Sequence, residues 1–130
     1  MAASYPDDLR YHPEHDWVRI DGDVGTFGIT WYAQDTLGEI VFFDPPAVGT
    51  QVSKDAPYTE IESVKAVFDL YAPVDGEVVE VNKGLSMDPS PINEDCYGKA
   101  WMVVIELSDA KEAASLLDAA GYMEHVNASG

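Results

Sequence analysis

The sequence predicts a mainly β fold that is closed by a C-terminal helix. Short β-rich segments, separated by Gly, Pro, Asp or Lys, follow one another as far as residue 107. Beyond Asp109 the spacing of the apolar residues changes from about two to about 3.6. A chain of 130 residues can bury one core. We therefore predict a single domain, 1–130, with a β body over about 11–107 and a C-terminal helix over about 109–120.

The first half of the chain is predicted to contain a hairpin, a short helix and a strand. The stretch DWVRIDGDVGTFGITW gives two short strands around Gly22 and Gly25. The stretch YAQDTLG, residues 32–38, gives a helical turn or two that end at Gly38. The stretch EIVFFD, residues 39–44, is a β-rich run that ends at two prolines, which cannot donate to a strand ladder.

The second half adds short strands and the final helix. The stretches TQV, PYTEIES, AVFDLYAP and GEVVEVN are predicted strands, and the apolar run WMVVIEL, residues 101–107, predicts a strand buried on both faces. In the final helix Asp109 is predicted as the N-cap, with Glu112 as its capping-box partner, and Gly121 as the stop. The apolar face of this helix consists of Ala113, Leu116, Leu117 and Ala120.

A weak internal repeat links the two halves of the β body. The stretch LGEIVFFD, residues 37–44, resembles DGEVVEVN, residues 75–82, and each is followed by a further glycine, Gly49 and Gly84. Two similar halves that join near Lys65 predict a pseudo-symmetric pair of small sheets.

The charge of the chain excludes several classes of partner. A net charge of −17 repels phosphate backbones and anionic bilayers, so we expect neither nucleic-acid nor membrane binding. No apolar run is long enough to span a bilayer. The N-terminal stretch MAASYPDDLRYHPEHDW has the pattern of neither a signal peptide nor a transit peptide, which predicts an intracellular, soluble protein.

The common signatures of catalytic and metal sites are missing from the sequence. It contains no phosphate loop, no Gly-x-Ser-x-Gly elbow and no Cys-x-x-Cys pair. The single cysteine, Cys96, excludes an intramolecular disulfide and is predicted to be a packing residue. His12 and His15 lie in a proline-containing segment, where exposed loop histidines are expected rather than a metal pair.

Lys65 is the candidate functional residue. It is the one basic residue between Lys54 and Lys83. The stretches EIES and AVFDLY alternate on either side of it, which places Lys65 near a reversal of the chain. A hairpin tip is accessible to other proteins, whereas a catalytic lysine needs burial to lower its pKa. The position therefore predicts an attachment point; the alternative is a solvated lysine that blunts a strand edge.

Four stretches resemble the H-protein family of the glycine cleavage system. The first is Glu62-Ser63-Val64-Lys65-Ala66 with the following VFDLYAPVDGEVVEVN. The others are HPEHDWVRI, GITWYAQDTLGEIVF and INEDCYGKAWM. The matches occur in order over roughly residues 11–107, and the C-terminal helix also fits.

The resemblance implies a fold and a cofactor. The fold is a barrel-sandwich hybrid of two small antiparallel sheets, with a short internal helix and a C-terminal helix. Lys65 lies at the hairpin tip, 62–66, and carries lipoic acid in an amide bond. The residues implied in recognition by the lipoate-attaching enzyme are Gly49, Glu62, Ser63, Val64 and Ala66. The residues implied in a cleft for the aminomethyl-loaded arm are Glu14, Asp16 and Asp69, whose carboxylates suit a protonated amine.

The resemblance also implies a role as a mobile carrier. The expected partners are the pyridoxal-phosphate glycine decarboxylase (P protein), the tetrahydrofolate-dependent aminomethyltransferase (T protein) and the flavin-containing dihydrolipoamide dehydrogenase (L protein). The carrier is expected to be a monomer without metal or catalytic residues. It is expected in the cytoplasm, or in the mitochondrial matrix if the chain is a processed eukaryotic form.

Three other functions compete with this one. An H-like protein could act as a lipoate acceptor that passes lipoyl groups to other enzymes. A lipoyl or biotinyl domain of an acyltransferase or carboxylase predicts Asp-Lys-Ala or Met-Lys-Met at the tip, and SVKAV has neither. The third alternative is an acidic β domain without a prosthetic group.

The sequence departs from the family pattern at four places. Trp31 replaces a polar residue, the stretch FDPP, residues 43–46, replaces Glu-Leu-Pro, and Cys96 replaces Pro. Ala100 replaces Gly, which predicts strain if the backbone there has a positive φ.

Overall fold

Two antiparallel sheets form the body of the protein. The computed structural model describes residues 5–129. The six-stranded sheet has the order β1-β2-β3-β9-β8-β5, and the three-stranded sheet has the order β4-β6-β7. The strands are β1 (Arg10–Tyr11), β2 (Asp16–Asp21), β3 (Val24–Ile29), β4 (Ile40–Asp44), β5 (Gln51–Val52), β6 (Pro57–Ser63), β7 (Val67–Tyr71), β8 (Gly76–Val81) and β9 (Val103–Leu107). The predicted mainly β fold with two antiparallel sheets is confirmed.

Short helices connect and flank the strands. The α-helices are α1 (Trp31–Leu37), α2 (Gly84–Met87), α3 (Pro91–Glu94) and α4 (Ala119–Ser129), and a 3₁₀ helix covers Ala110–Ser115. Helix α1 begins at Thr30, whose hydroxyl accepts the N–H of Ala33, and ends at Gly38, whose φ of 82° favours glycine. The short internal helix that the sequence predicts is therefore present.

The β2–β3 hairpin depends on two glycines for different reasons. Gly22 lies in the turn with a φ of 63°, which few other residues adopt. Gly28 in β3 pairs with Trp17 in β2, and a Cβ atom at Gly28 would lie 2.4 Å from Cζ2 of that indole. The fully buried indole therefore packs directly on the glycine backbone.

The weak sequence repeat corresponds to strands in different sheets. The first copy contains β4, at one edge of the three-stranded sheet. The second copy contains β8, inside the six-stranded sheet. The two sheets differ in size, so the two copies occupy different surroundings.

Apolar side chains from both sheets fill the interior. One cluster joins the three-stranded sheet to α1 through Ile29, Leu37, Phe43, Ile61 and Leu70. A second cluster contains Val18, Phe27, Val78, Val103 and Ile105 of the six-stranded sheet. A third cluster, which contains Tyr11, Trp17 and Tyr122, holds α4 against β1 and β2.

The predicted bounds of the C-terminal helix are wrong. A 3₁₀ helix occupies Ala110–Ser115, and the α-helix begins only at Ala119. Leu117 interrupts the helical pattern because its N–H and C=O both pair with Tyr11 of β1. The side chain of Asp118 then accepts the N–H of Gly121, so this glycine lies in the first turn of α4 rather than after its end.

The prediction that β9 is buried on both faces is also wrong. Val103 and Ile105 are buried, whereas Glu106 is exposed and Val104 is half-buried. One face of the six-stranded sheet therefore meets solvent, as is common for antiparallel sheets.

Candidate functional site

Lys65 lies in the loop that joins β6 to β7. The hydroxyl of Ser63 accepts the N–H groups of Lys65 and Ala66, at 3.1 and 3.4 Å. The N–H of Ser63 donates to the carbonyl of Ala66, and the N–H of Val64 donates to the carbonyl of Glu39. Ser63 is buried, whereas Val64, Lys65 and Ala66 are exposed. Local hydrogen bonds therefore fix the loop and leave the lysine at the surface.

The ammonium group of Lys65 lies at the C-terminal end of α1. Its Nζ donates to the carbonyl of Thr36 at 3.1 Å. The carbonyl end of a helix attracts a cation, and no basic residue of α1 itself occupies the last turn. A Cβ atom at Gly38 would lie 3.4 Å from Cε of Lys65, so the lysine stem passes close to this glycine.

A cavity of about 390 Å³ begins beside this lysine. The loop before β2, helix α1 and strand β7 form its walls, and Thr36 is one of the lining residues. The apolar lining includes Ile29, Leu37, Val67, Phe68 and Leu70. Since Nζ of Lys65 bonds to Thr36, a group attached to this amine starts at the edge of the cavity.

The cavity contains two of the three acidic residues that the sequence analysis assigned to a cleft. Glu14 and Asp69 line it, and both are exposed. They come from the loop before β2 and from β7, so the fold brings together side chains that are far apart in the sequence. Two carboxylates that line one cavity favour the binding of a cation.

Asp16 lies behind the cavity rather than in it. Its side chain is fully buried, its Oδ2 accepts the N–H of Tyr71 at 3.3 Å, and its Oδ1 is buried without a hydrogen-bond partner. Burial raises the pKa of the Asp16 carboxyl well above its usual range; the Tyr71 hydrogen bond opposes this rise, and the charge of Glu14 adds to it. A buried carboxyl with an unpaired oxygen favours its neutral form, whereas the side chains of Glu14 and Asp69 reach solvent.

The segment from His12 to Asp16 forms a tight loop that sequence reasoning did not predict. His15 has a φ of 78°, and its carbonyl accepts the N–H of Thr30. The Nδ1 atom of His12 accepts the N–H of Glu14 at 3.0 Å, and its Nε2 pairs with Asp55 at 2.5 Å. The expectation of exposed loop histidines is wrong for His12, which is 4% exposed, and His15 is half-buried in the cavity wall.

Comparisons with known proteins identify the family. A model of the glycine cleavage H-protein family matches residues 9–129. The chain belongs to this family. It is 48% identical to the glycine cleavage system H protein of Symbiobacterium thermophilum, over 92% of this chain and 94% of that protein. It is 50% identical to that of Bacillus subtilis, over 93% of this chain and 95% of that protein.

A solved structure agrees with this assignment. The crystal structure of a glycine cleavage system H protein from Mycobacterium marinum has a TM-score of 0.86 and 36% sequence identity to this chain. The match covers 94% of this chain and 98% of that one. The barrel-sandwich fold expected from the resemblance is thereby confirmed, and the H-protein family is one of lipoyl carriers.

The H-protein residues implied in recognition lie in two parts of the fold. Glu62 is exposed on β6, where it pairs with Phe42 of β4 and Val67 of β7. Gly49 has a φ of 96° in the loop between β4 and β5, and its N–H donates to the carbonyl of Val78 in the six-stranded sheet. Their roles toward an attaching enzyme stay a prediction.

Exposed apolar side chains surround the hairpin tip, and the sequence analysis had named only Val64 among them. Val64 and Val67 are 63% and 55% exposed beside the tip, and Phe42 is 50% exposed on the neighbouring strand. Consecutive residues Val41 and Phe42 both reach solvent because the pairing of β4 with β6 is irregular between Ile40 and Phe42.

Three of the four departures from the H-protein pattern are accommodated locally. Cys96 is buried, and its carbonyl accepts the indole N–H of Trp17 at 2.9 Å. The N–H of Trp31 donates to the hydroxyl of Tyr97. The strain expected at Ala100 is absent, because His15 and Asp55 are the non-glycine residues with positive φ in the part of the chain that the structure describes.

Two further observations bear on the class of site. Among residues 5–129, no group of three or more His, Cys, Asp or Glu side chains could hold a metal ion. No helix in the described part of the chain is long and apolar enough to cross a membrane.

Proposed function

We propose that the chain is a lipoyl-bearing shuttle of the glycine cleavage system and is not itself an enzyme. Lipoic acid is joined in an amide bond to Nζ of Lys65. The observation that carries the proposal is the placement of this amine at an exposed hairpin tip and at the edge of a partly acidic cavity. Membership of the H-protein family supports the proposal.

The cavity suits the group that the proposal attaches. Its apolar lining matches a hydrocarbon chain, and the carboxylates of Glu14 and Asp69 match an amine at the end of that chain. The dithiolane of lipoic acid supplies the sulfur that carries the aminomethyl group between enzymes. The protein binds the arm, keeps its amine next to carboxylates and limits its contact with water.

The proposed partners are the P protein, the T protein, the L protein and the lipoate-attaching enzyme. A tethered arm stays at high effective concentration near the surface on which each partner docks. The formal charge of the chain changes from −17 to −18 when the Lys65 amine becomes an amide. Such an acidic surface steers partners that present basic residues.

The first experiment tests the attachment site. The protein is expressed with a lipoate-attaching enzyme, and the intact mass of the wild type is compared with those of Lys65→Ala and Lys83→Ala. Lys83 is an exposed lysine outside the hairpin and serves as the matched control. We expect the lipoyl mass increment in the wild type and in Lys83→Ala, and its absence from Lys65→Ala. An increment that persists in Lys65→Ala would exclude Lys65 as the attachment site.

A second experiment separates the shuttle from the lipoate-relay alternative. Lipoylated protein is added to purified P, T and L proteins with glycine and tetrahydrofolate, and the release of carbon dioxide from labelled glycine is measured. A shuttle supports repeated turnover. A protein that is fully lipoylated by mass but supports no glycine decarboxylation favours the relay function.

A further inference from the structure

A chain of hydrogen bonds connects the C-terminal helix to the wall of the cavity. The hydroxyl of Tyr122 in α4 lies 2.8 Å from Nδ1 of His15 and 2.7 Å from Oγ1 of Thr30. Oγ1 of Thr30 also accepts the N–H of Ala33 at 3.2 Å, as the N-cap of α1. Thr30 and Tyr122 are fully buried.

The positions of the hydrogens in this chain follow from what each group can donate. If Tyr122 donated to Thr30, the hydroxyl hydrogen of Thr30 would have no acceptor among the described residues. If Thr30 donates to Tyr122 and Tyr122 donates to His15, every hydroxyl hydrogen is used. Nδ1 of His15 is then an acceptor, and the ring hydrogen of the neutral imidazole is on Nε2.

His15 is held firmly in the cavity wall. Its N–H donates to the carbonyl of His12 at 2.9 Å, and its carbonyl accepts the N–H of Thr30 at 3.1 Å. Its ring packs 4.8 Å from the ring of Tyr32, another lining residue. Among the hydrogen bonds of residues 5–129 none involves Nε2 of His15, and this atom is not one of the buried unpaired atoms, so it can donate to a group in the cavity that His15 lines.

We propose that His15 is a further residue that binds the lipoyl arm, as a neutral donor from Nε2–H to an acceptor atom of the arm. Tyr122 and Thr30 are positioning residues that fix the tautomer. The inference rests on the proposed function, because it needs an arm on Lys65. Burial and the nearby His125 lower the pKa of His15, which agrees with a neutral ring.

The chemistry of the arm decides what this donor can bind. A protonated amine has no lone pair and belongs with Glu14 and Asp69. The acceptors that remain are the sulfur atoms and the amide oxygen at Lys65. A neutral donor binds either one without repelling the amine, whereas a charged imidazolium would compete with the amine for the two carboxylates.

The tautomer is tested first, on unmodified protein. Long-range ¹H–¹⁵N spectra of histidine-labelled protein show which ring nitrogen of His15 carries the hydrogen. We expect Nε2–H in the wild type, and a mixture or Nδ1–H in Tyr122→Phe and in Thr30→Val. Thr30→Ser keeps the hydroxyl and should restore the Nε2–H form. Tyr5→Phe is the matched control, since the Tyr5 ring packs 5.4 Å from that of Tyr122 without taking part in the chain.

The arm is tested second, on protein whose modification is verified by intact mass. Lys65 is loaded with octanoyl, which has the amide oxygen and no sulfur, or with lipoyl in its reduced form. A change in the His15 Nε2 resonance with both groups identifies the amide oxygen as the acceptor. A change with dihydrolipoyl alone identifies a sulfur, and either result supports the inference.

Three outcomes overturn the inference, and they are distinct. If Lys65 is fully modified and the Nε2 resonance changes with neither group, His15 does not bind the arm, while the shuttle function stands. If Lys65 accepts no modification, the proposed function fails and the inference fails with it. A wild-type His15 that carries its hydrogen on Nδ1 also overturns the inference, whatever is attached to Lys65.

Discussion

The buried carboxyl of Asp16 predicts an unusual dependence of stability on pH. This side chain has no exposed surface, one oxygen without a partner, and a pKa raised well above its usual range by burial. Above about pH 4 the unfolded chain has released this proton, whereas the folded chain still holds it. Raising the pH therefore favours the unfolded state until the pKa of the folded state is reached.

The size of the effect follows from a single proton. Each pH unit in this window lowers the free energy of unfolding by about 1.4 kcal/mol at 25 °C, for this group alone. The side chain in the variant Asp16→Asn has a similar shape but no proton to release in this pH range. Its free energy of unfolding therefore lacks the pH dependence that the Asp16 carboxyl contributes. The variant need not be more stable at low pH, because its amide leaves a polar group unpaired, at a cost of about 1–3 kcal/mol.

The decisive quantity is therefore the difference between the two proteins across pH. We expect the free energy of unfolding of Asp16→Asn minus that of the wild type to rise steadily with pH above about 4, and then to level off at the pKa of the folded state. Urea denaturation followed by tryptophan fluorescence provides both curves. Asp69→Asn is the control for the removal of an acidic side chain from the same region.

A constant difference between about pH 4 and pH 7 would refute the reasoning. It would mean that Asp16 loses its proton over the same range in both states, despite its burial. The expected result, a difference that rises with pH, also matters for function. A carboxyl that keeps its proton cannot neutralise an amine, so the negative charge of the cavity would come from Glu14 and Asp69.

Three further predictions test the packing around the site. Gly28→Ala forces a methyl group into the indole of Trp17 and should lower the free energy of unfolding by roughly 1–3 kcal/mol in urea titrations; an unchanged midpoint would contradict the packing. Burial raises the pKa of the Cys96 thiol to about 12, so it should react with a thiol reagent only after denaturation, and rapid labelling of folded protein would show the opposite. The side-chain oxygen of Asn93 accepts the N–H of Ile40, and its amide donates to Oε1 of Gln34 and to the carbonyl of Gly38, so Asn93→Ala should lower the free energy of unfolding by at least about 1–3 kcal/mol, whereas equal thermal stability would show that these bonds are dispensable.

The fold was predictable wherever the signal is local. Alternation, glycines and prolines give most of the strands, and Gly38 marks the end of α1, whereas the N-cap at Thr30 was not predicted. The C-terminal helix was misplaced because apolar spacing alone predicts a helix across Leu117. The backbone of this residue instead pairs with Tyr11, more than a hundred positions earlier, and no local pattern contains that contact.

The candidate site likewise contains features with a local sequence signal and features that depend on contacts between distant residues. The position of Lys65 at a hairpin tip was predictable, because it is the one basic residue between two predicted strands and because its flanking residues resemble those of the H-protein family. The contribution of Tyr122 was not, because its partners Thr30 and His15 are 92 and 107 residues away in the sequence. Only folding brings this helix to the cavity.

The different positions of Glu14 and Asp16 have a physical explanation in the residue between them. In an extended strand, residues two apart lie on the same face, so an unbroken strand would place both carboxylates on one surface. His15 breaks this alternation with a φ of 78°, a conformation that few non-glycine residues adopt. Two backbone hydrogen bonds and the bond to Tyr122 hold His15 in this conformation. The reversed backbone sends Glu14 to the cavity and Asp16 to the interior, so the loop that presents His15 also determines which carboxylate can reach an arm.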